Sequence, residues 1–126
     1  MKPIWIISQN YENYGPLDEH GRKPLSSSER STFGKASSTK EGARKLALDH
    51  LKRSSENIRS VIGRKPDIEK EEVTDTFFGG DGIWEAYVVW NLSEEDAKRA
   101  KEIFEDAVPG GAIEVCVTYG GIELVD

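Results

Sequence analysis

The sequence is poor in the residues that most metal and redox sites require. It contains one cysteine, Cys116, and two histidines, His20 and His50, which are far apart along the chain. A single cysteine excludes an internal disulfide bond, and so few cysteines and histidines disfavour a zinc site. We therefore predict no metal and no cofactor. The cysteine count also predicts a cytoplasmic location.

Long apolar runs are absent as well. No stretch approaches the ~20 apolar residues that span a bilayer, and the run from Ile4 to Ile7 is too short for the core of a signal peptide. We therefore expect no membrane partner. The length of 126 residues, of which 37% are hydrophobic, suits one domain that covers residues 1–126.

Positive charge is scarce in the second half of the chain. The net charge is −6, and residues 71–126 carry three basic and fourteen acidic side chains. This sign disfavours direct binding of nucleic acid over a broad surface. An acidic surface suits a partner protein with a basic surface, or it simply keeps the protein in solution.

The apolar periodicity predicts an α+β domain with the element order β-α-β-β-α-β. Ser38 with Glu41, and Ser93 with Asp96, match the capping box that begins a helix, and Gly63 is expected to end the first helix. The second helix is predicted to continue to Val108. Strands are predicted at residues 3–9, 71–78, 83–91 and 112–119, the middle two joined by a GGDG turn.

The remaining segments are predicted as loop and turn. Residues 10–37 are rich in serine, glycine and proline and are predicted to form a long loop, with a short extra strand near residues 30–36 as an alternative. Gly120-Gly121 is predicted to turn the chain into another strand.

This order matches the ferredoxin-like fold, an antiparallel sheet with two helices on one face. The helices are expected to cover the wholly apolar faces of the strands at residues 83–91 and 112–119. The opposite face is mixed in character. We therefore predict a homodimer, formed through that face or by edge pairing of the C-terminal segment.

No motif predicts a reaction. There is no P-loop, no G-x-G-x-x-G and no calcium loop, and FFGGDG is typical of a hairpin turn. His50 is expected to be a packing or surface residue and Cys116 an inert thiol on a strand. We therefore predict no catalytic residues and a binding protein, with a small enzyme as the weakest alternative.

The segment SQNYENYGPLDEHGRK, residues 8 to 23, is the strongest candidate for a binding site. Long loops in compact domains are often functional, and tyrosines give rigid contact area with a polar tip. In an extended chain Tyr11 and Tyr14 would point to opposite sides, and in a helical turn they would share a face. The predicted binding residues are Tyr11, Glu12, Tyr14, His20, Arg22 and Lys23 on the loop, with Glu94, Glu95, Glu102 and Glu105 on the acidic second helix.

The N-terminal strand that runs into YENYG, Tyr11 to Gly15, resembles the opening of many small uncharacterised phage-encoded proteins. The resemblance covers residues 1–15. After residue 15 the resemblance ends. The phage-encoded proteins often continue with a strand rich in tryptophan or glycine, whereas this chain continues with a serine-rich stretch. The resemblance implies a phage or mobile-element origin, hence the cytoplasm of a host cell, and it implies no chemistry.

Two functions from different classes are compatible with these observations. The first is a non-enzymatic binding protein, comparable to an anti-CRISPR protein, that inhibits a host defence protein through its acidic surface and its tyrosine-containing loop. The second is a protein that binds or sequesters a small anionic, nucleotide-like signal. In that case Arg22, Lys23, Arg30 and Lys35 would contact the anion and the tyrosines would stack on a base.

Overall fold

The computed structural model describes residues 3–74 and 82–123. Within them the chain forms five strands and two helices, with both hairpins preceding a helix. The elements in chain order are β1 (Pro3–Tyr14), β2 (Leu25–Ser37), α1 (Lys40–Ile62), β3 (Ile68–Thr74), β4 (Ile83–Asn91), α2 (Glu94–Ala100) and β5 (Ala112–Glu123).

The strands form one antiparallel sheet with the order β2-β1-β5-β4-β3. The α+β class is confirmed, and the ferredoxin-like order is not. That order would place the strand at residues 83–91 beside β1 and the C-terminal strand at an edge. Instead β5 lies between β1 and β4 and pairs with β1 from Pro3↔Glu123 to Tyr14↔Ala112. From Ala112 to Thr118, β5 is therefore an inner strand, whereas from Tyr119 to Glu123 it pairs with β1 alone. Edge pairing of the C-terminal segment stays a prediction.

Most of the predicted loop at residues 10–37 is a β-hairpin. The prediction failed because the polar sequence NYENY continues the alternation of β1, with Tyr11 and Asn13 on one face and Glu12 and Tyr14 on the other. Strand β2 is exposed along almost its whole length, so its serine-rich sequence needs no apolar pattern. Only residues 15–24 connect the two strands.

Helix α1 begins one residue later than predicted. Its N-cap is Thr39, whose side chain accepts a hydrogen bond from the amide of Gly42, so the Ser38 capping box is wrong. Gly63 ends the helix with a left-handed φ of 87°, as predicted. The buried side chains lie on one stripe of the helix: Ala43, Ala47, Leu51, Ile58 and Ile62.

Helix α2 begins as predicted and ends early. Ser93 and Asp96 form the capping box, but the helix stops at Ala100, and turns follow at residues 101–103 and 105–106. The amides of Glu102, Ile103 and Ala107 each bond the carbonyl three residues back. The tightened chain places Phe104 against Tyr11, with ring centroids 6.1 Å apart.

The buried side chains of both helices join those of β1, β4 and β5 in one core cluster on one face of the sheet. As predicted, β4 contributes Trp84, Ala86, Val88 and Trp90, and β5 contributes Ile113, Val115 and Val117. Among the described residues, no helix is long and apolar enough to span a membrane.

The glycine pair Gly120-Gly121 lies within β5 and makes no turn. Trp5 pairs with Gly121, and a Cβ at this glycine would lie 3.0 Å from Cζ3 of the Trp5 ring. The glycine therefore makes room for an aromatic ring. The predicted end of the strand at 71–78 and most of the GGDG turn lie outside the described residues.

Candidate functional site

The face of the sheet that carries no helix is rich in glutamate. We call it the acidic sheet face, and its position follows from strand alternation and register. Among the described residues, no helix or strand packs on it. Its defining residues are Glu12 and Tyr14 on β1, Glu114 and Cys116 on β5, Glu85 and Tyr87 on β4, and Glu72 on β3.

The register of the sheet brings these carboxylates together. Glu12 lies opposite Glu114, and Glu114 lies opposite Val89. In a second row, Glu85 stands between Thr118 and Glu72. Like charges placed opposite each other are destabilising, so the arrangement costs folding free energy.

The hydroxyl of Tyr14 lies between two of these carboxylates. It donates a hydrogen bond to Oε2 of Glu12 and lies 3.2 Å from Oε2 of Glu114. The hydroxyl has one proton, so it can donate to only one carboxylate at a time. Tyr14 therefore moderates the repulsion between the two glutamates without removing it.

The pKa values of Glu114 and Cys116 on this face shift in the direction that reduces negative charge. Burial raises the pKa of Glu114, the charge of Glu12 raises it further, the hydrogen bond from Tyr14 opposes this, and Glu85 adds to it. Burial, together with Glu85 and Glu114, raises the pKa of the Cys116 thiol to about 12. A positive group placed against this face would relieve the same repulsion.

Positive charge is confined to the borders of the face. Among its positions on the inner strands β1, β5 and β4 there is no lysine or arginine. Arg30 lies on the edge strand β2, opposite Asn10, and Lys70 lies on the edge strand β3, opposite Tyr87. The centre of the face is therefore purely acidic in its charged groups.

Two predicted site residues, Glu12 and Tyr14, lie on the acidic sheet face, and Tyr11 does not. Tyr11 points under the helices, where its hydroxyl donates to Oγ of Ser54 at 2.9 Å and its ring contacts Phe104. The two tyrosines point to opposite sides, as the extended alternative predicts. Tyr11 is therefore an anchor of the hairpin.

Three further predicted residues lie at the connection between β1 and β2. The backbone amides of His20 and Arg22 each donate to Oδ1 of Asp18 at 2.9 Å, so a compact turn forms around this carboxylate. The side chains of His20 and Arg22 are exposed. Nζ of Lys23 donates to Oδ1 of Asn91 at 3.1 Å, which ties the turn to the end of β4.

The four predicted glutamates of the second helix lie in the helix layer, away from the acidic sheet face. All are exposed: Glu94 and Glu95 in the first turn of α2, Glu102 and Glu105 in the turns that follow. The predicted site is thus divided among three regions. Sequence reasoning missed Glu72, Glu85, Tyr87 and Glu114, because only the register of the strands shows that they meet.

No described group of His, Cys, Asp or Glu side chains is arranged to hold a metal ion. Two of the grooves that the described residues form lie in the helix layer. One, of about 350 Å³, lies between α1 and the hairpin of β3 and β4, and the other, of about 280 Å³, lies beside Tyr11 and Phe104. Leu48, Leu51, Ala86 and Val88 supply apolar surface to the first groove.

Comparison with protein-family models gives no match, and comparisons with curated proteins and with solved structures give none either.

Proposed function

We propose that the chain is a non-enzymatic binding protein whose acidic sheet face docks on the basic surface of a partner protein. The observation that carries this proposal is the cluster of Glu12, Glu72, Glu85 and Glu114 on a face without a helix and without central cations. The cost of holding like charges together is recovered when a positive surface contacts them.

The chemistry of the face favours binding over catalysis. The hydroxyl of Tyr14 lies within hydrogen-bond distance of the two carboxylates that could act as an acid and a base, and the high pKa of Cys116 leaves little thiolate at neutral pH. Both of the grooves described above lie in the helix layer. An open, charged sheet face suits another protein.

Affinity would come from apolar contact as well as charge. Tyr87 and Val89 lie on the same face as the glutamates and remain half-exposed. Exposed ion pairs contribute only about 0.2–1 kcal/mol each, so the glutamates would set orientation and association rate, while Tyr87 and Val89 supply buried area.

The partner we propose is a protein that binds nucleic acid, such as a defence protein of a host cell. Its basic surface would be covered by the acidic sheet face, so nucleic acid and this chain would compete for it. The phage resemblance of residues 1–15 and the charge of this face support this choice.

The geometry gives less support to the alternative, a binder of nucleotide-like anions. Tyr11 is bonded to Ser54, and Tyr14 is bonded to carboxylates that would repel a phosphate. These contacts give less support to tyrosines that stack on a base beside the cations of the hairpin.

The test is affinity capture from the cells in which the chain is made, with two variants of equal charge. In the face variant, Glu12, Glu72, Glu85 and Glu114 become Gln. In the matched control, Glu94, Glu95, Glu102 and Glu105 become Gln. Each variant removes four negative charges from a net charge of −6.

We expect the unmodified chain and the control variant to capture a set of basic proteins that the face variant does not capture. Thermal melts of all three proteins establish that they are folded. If the two variants lose the same proteins, or if neither loses any, the acidic sheet face is not the binding surface.

A further inference from the structure

In the described part of the sheet, β2 and β3 are the two outermost strands, and they differ in regularity. Strand β2 pairs with β1 through two register shifts, between Ile6 and Ser8 and between Asn13 and Tyr14. Strand β3 pairs with β4 without a shift over seven consecutive residues, from Ile68↔Val89 to Thr74↔Ile83. Bulges hinder the addition of another strand, so β3 is the better template for pairing.

The outer edge of β3 is open. Among the described elements, only β4 packs along β3, and it does so on the inner edge. All residues of β3 but Glu72 are exposed. Ile68 is 40% exposed and Val73 is 64% exposed. The strand contains no proline, a residue that commonly protects an edge. Its charged residues are the remaining protection, so their pattern decides which strand can pair there.

That pattern is complementary to itself. In an antiparallel pair of two β3 strands centred on Glu71, Lys70 lies opposite the partner's Glu72, and Glu72 lies opposite the partner's Lys70. This register overlaps all seven residues. A shift by two residues shortens the overlap and places Lys70 opposite the partner's Lys70, or Glu72 opposite the partner's Glu72. The longest pairing is therefore also the one with matched charges.

The centre of this pairing would bring two Glu71 side chains together on the helix side of the sheet. Each is already neutralised within its own chain. Nη2 of Arg44 donates to Oε2 of Glu71 at 2.9 Å, Nε of Arg44 donates to Oε1, and Nε1 of Trp84 donates to Oε1 at 2.9 Å. These bonds hold the pKa of Glu71 below its ordinary value. The carboxylates are thus directed toward Arg44, which reduces their mutual repulsion.

We propose that the free edge of β3 is the surface through which two copies of this chain pair into one continuous sheet. The two copies are related by a two-fold axis perpendicular to the sheet. The acidic sheet faces of both copies therefore lie on the same side of the continuous sheet. The pairing covers Val73, which stands opposite the partner's Glu69, a residue that lines the larger groove. The inference stands on β3 alone and does not depend on the proposed function.

The experiment uses charge exchange in the full chain, with sedimentation velocity as the readout. In Lys70→Glu, glutamates oppose glutamates in both halves of the dimer, and in Glu72→Lys, lysines oppose lysines. We expect each variant to weaken self-association by about 10- to 100-fold relative to the unmodified chain. When the two variants are mixed, each pair again joins opposite charges, so a mixed dimer should form. The double variant K70E/E72K should dimerise with itself.

Both positions lie at the edge of the sheet, and circular dichroism melts establish that the single variants remain folded. A monomer of 14.1 kDa for the unmodified chain at high micromolar concentration would overturn the proposal. A dimer that survives in both single variants would assign pairing to another surface, including the acidic sheet face. Failure of the two variants to associate when mixed would also contradict it.

Discussion

Glu12 and Glu114 lie directly opposite each other on β1 and β5, and the hydroxyl of Tyr14 is within hydrogen-bond distance of both carboxylates. A fold does not require two glutamates in this position. Burial and the charge of Glu12 raise the pKa of Glu114, and the hydrogen bond from Tyr14 opposes the rise. The three residues form the centre of the face to which we assign binding.

Replacing Glu114 by Gln should stabilise the protein at neutral pH, because it removes one charge from a half-buried, repulsive pair. The pKa of Glu114 is raised in the folded state, so folding favours its protonated form. The destabilisation caused by ionised Glu114 is absent below the ordinary glutamate pKa of about 4.3. It grows as pH rises toward the pKa of Glu114 in the folded protein, and it is constant above that pKa. We expect a gain of about 0.2–1 kcal/mol at pH 8 that vanishes near pH 4.

Urea unfolding of both proteins across this pH range measures the difference. Tyr14→Phe is the companion variant, and it should raise the pKa of Glu114 further because the opposing hydrogen bond is lost. A stability difference independent of pH would contradict the assignment.

The two tyrosines of the hairpin should respond differently to substitution. Tyr11→Ala removes a ring packed on Phe104 and should cost about 2–4 kcal/mol. Tyr11→Phe keeps the ring and loses only the bond to Ser54, so about 1 kcal/mol is expected. Chemical denaturation measures both values. Equal losses for the two variants would show that packing on Phe104 does not hold the hairpin.

Arg64 joins the end of α1 to the start of α2. It donates to Oδ2 of Asp96 from Nη2 at 2.9 Å and to Oδ1 of Asp67 from Nη1 at 2.9 Å, and it also bonds the carbonyl of Asn91. Asp96 is only 7% exposed. Arg64→Met removes the cation that pairs with this carboxylate and leaves it the amide of Ser93 as a hydrogen-bond donor, so the substitution should destabilise the fold by about 2–4 kcal/mol.

The pH dependence of this pair has the opposite sign to that of Glu114. Burial raises the pKa of Asp96, but the bonds from Arg64 and Ser93 outweigh burial and hold the pKa below its ordinary value. The stabilisation by ionised Asp96 is fully present above the unfolded pKa of about 3.9. It is lost as pH falls through the pKa of Asp96 in the folded protein. The loss caused by Arg64→Met should therefore diminish in acid, and melts from pH 2 to pH 7 measure it.

Cys116 should react slowly with alkylating reagents in the folded protein. Its thiolate is disfavoured by burial and by Glu85 and Glu114, and its Sγ lies 3.6 Å from Oε2 of Glu85. At pH 8, iodoacetamide should modify it much faster in urea than in buffer. Glu85→Gln should accelerate the reaction of the folded protein. Rapid alkylation of the folded chain would contradict the electrostatics assigned to this face.

The parts of the fold that depend on local signals were predictable. The Ser93 capping box, the stop at Gly63 and the alternation of β4 are set by neighbouring residues, and all three are confirmed. Strand β2 is only partly predictable, because an edge strand exposed along most of its length needs no apolar alternation. The extended glycines of β5 looked like a turn, and only the Trp5 ring explains them.

The sheet order and the acidic sheet face depend on contacts between distant residues. Nothing in the order of elements places β5 between β1 and β4. Glu12, Glu114 and Glu85 are far apart in the sequence and meet only through two strand registers. The sequence showed the polar side of each strand, and from this Glu12 and Tyr14 could be named as candidates while the glutamates beside them could not.

The measurement that tests the central claim most directly is a calorimetric titration of a purified partner against the two four-glutamine variants. The account predicts that the face variant raises the dissociation constant by at least about tenfold, while the control at Glu94, Glu95, Glu102 and Glu105 changes it by less than about threefold. Equal weakening of binding by both variants would show that the interaction is general charge attraction and does not depend on the acidic sheet face. A larger loss with the control would place the binding surface on the helix layer and contradict the account.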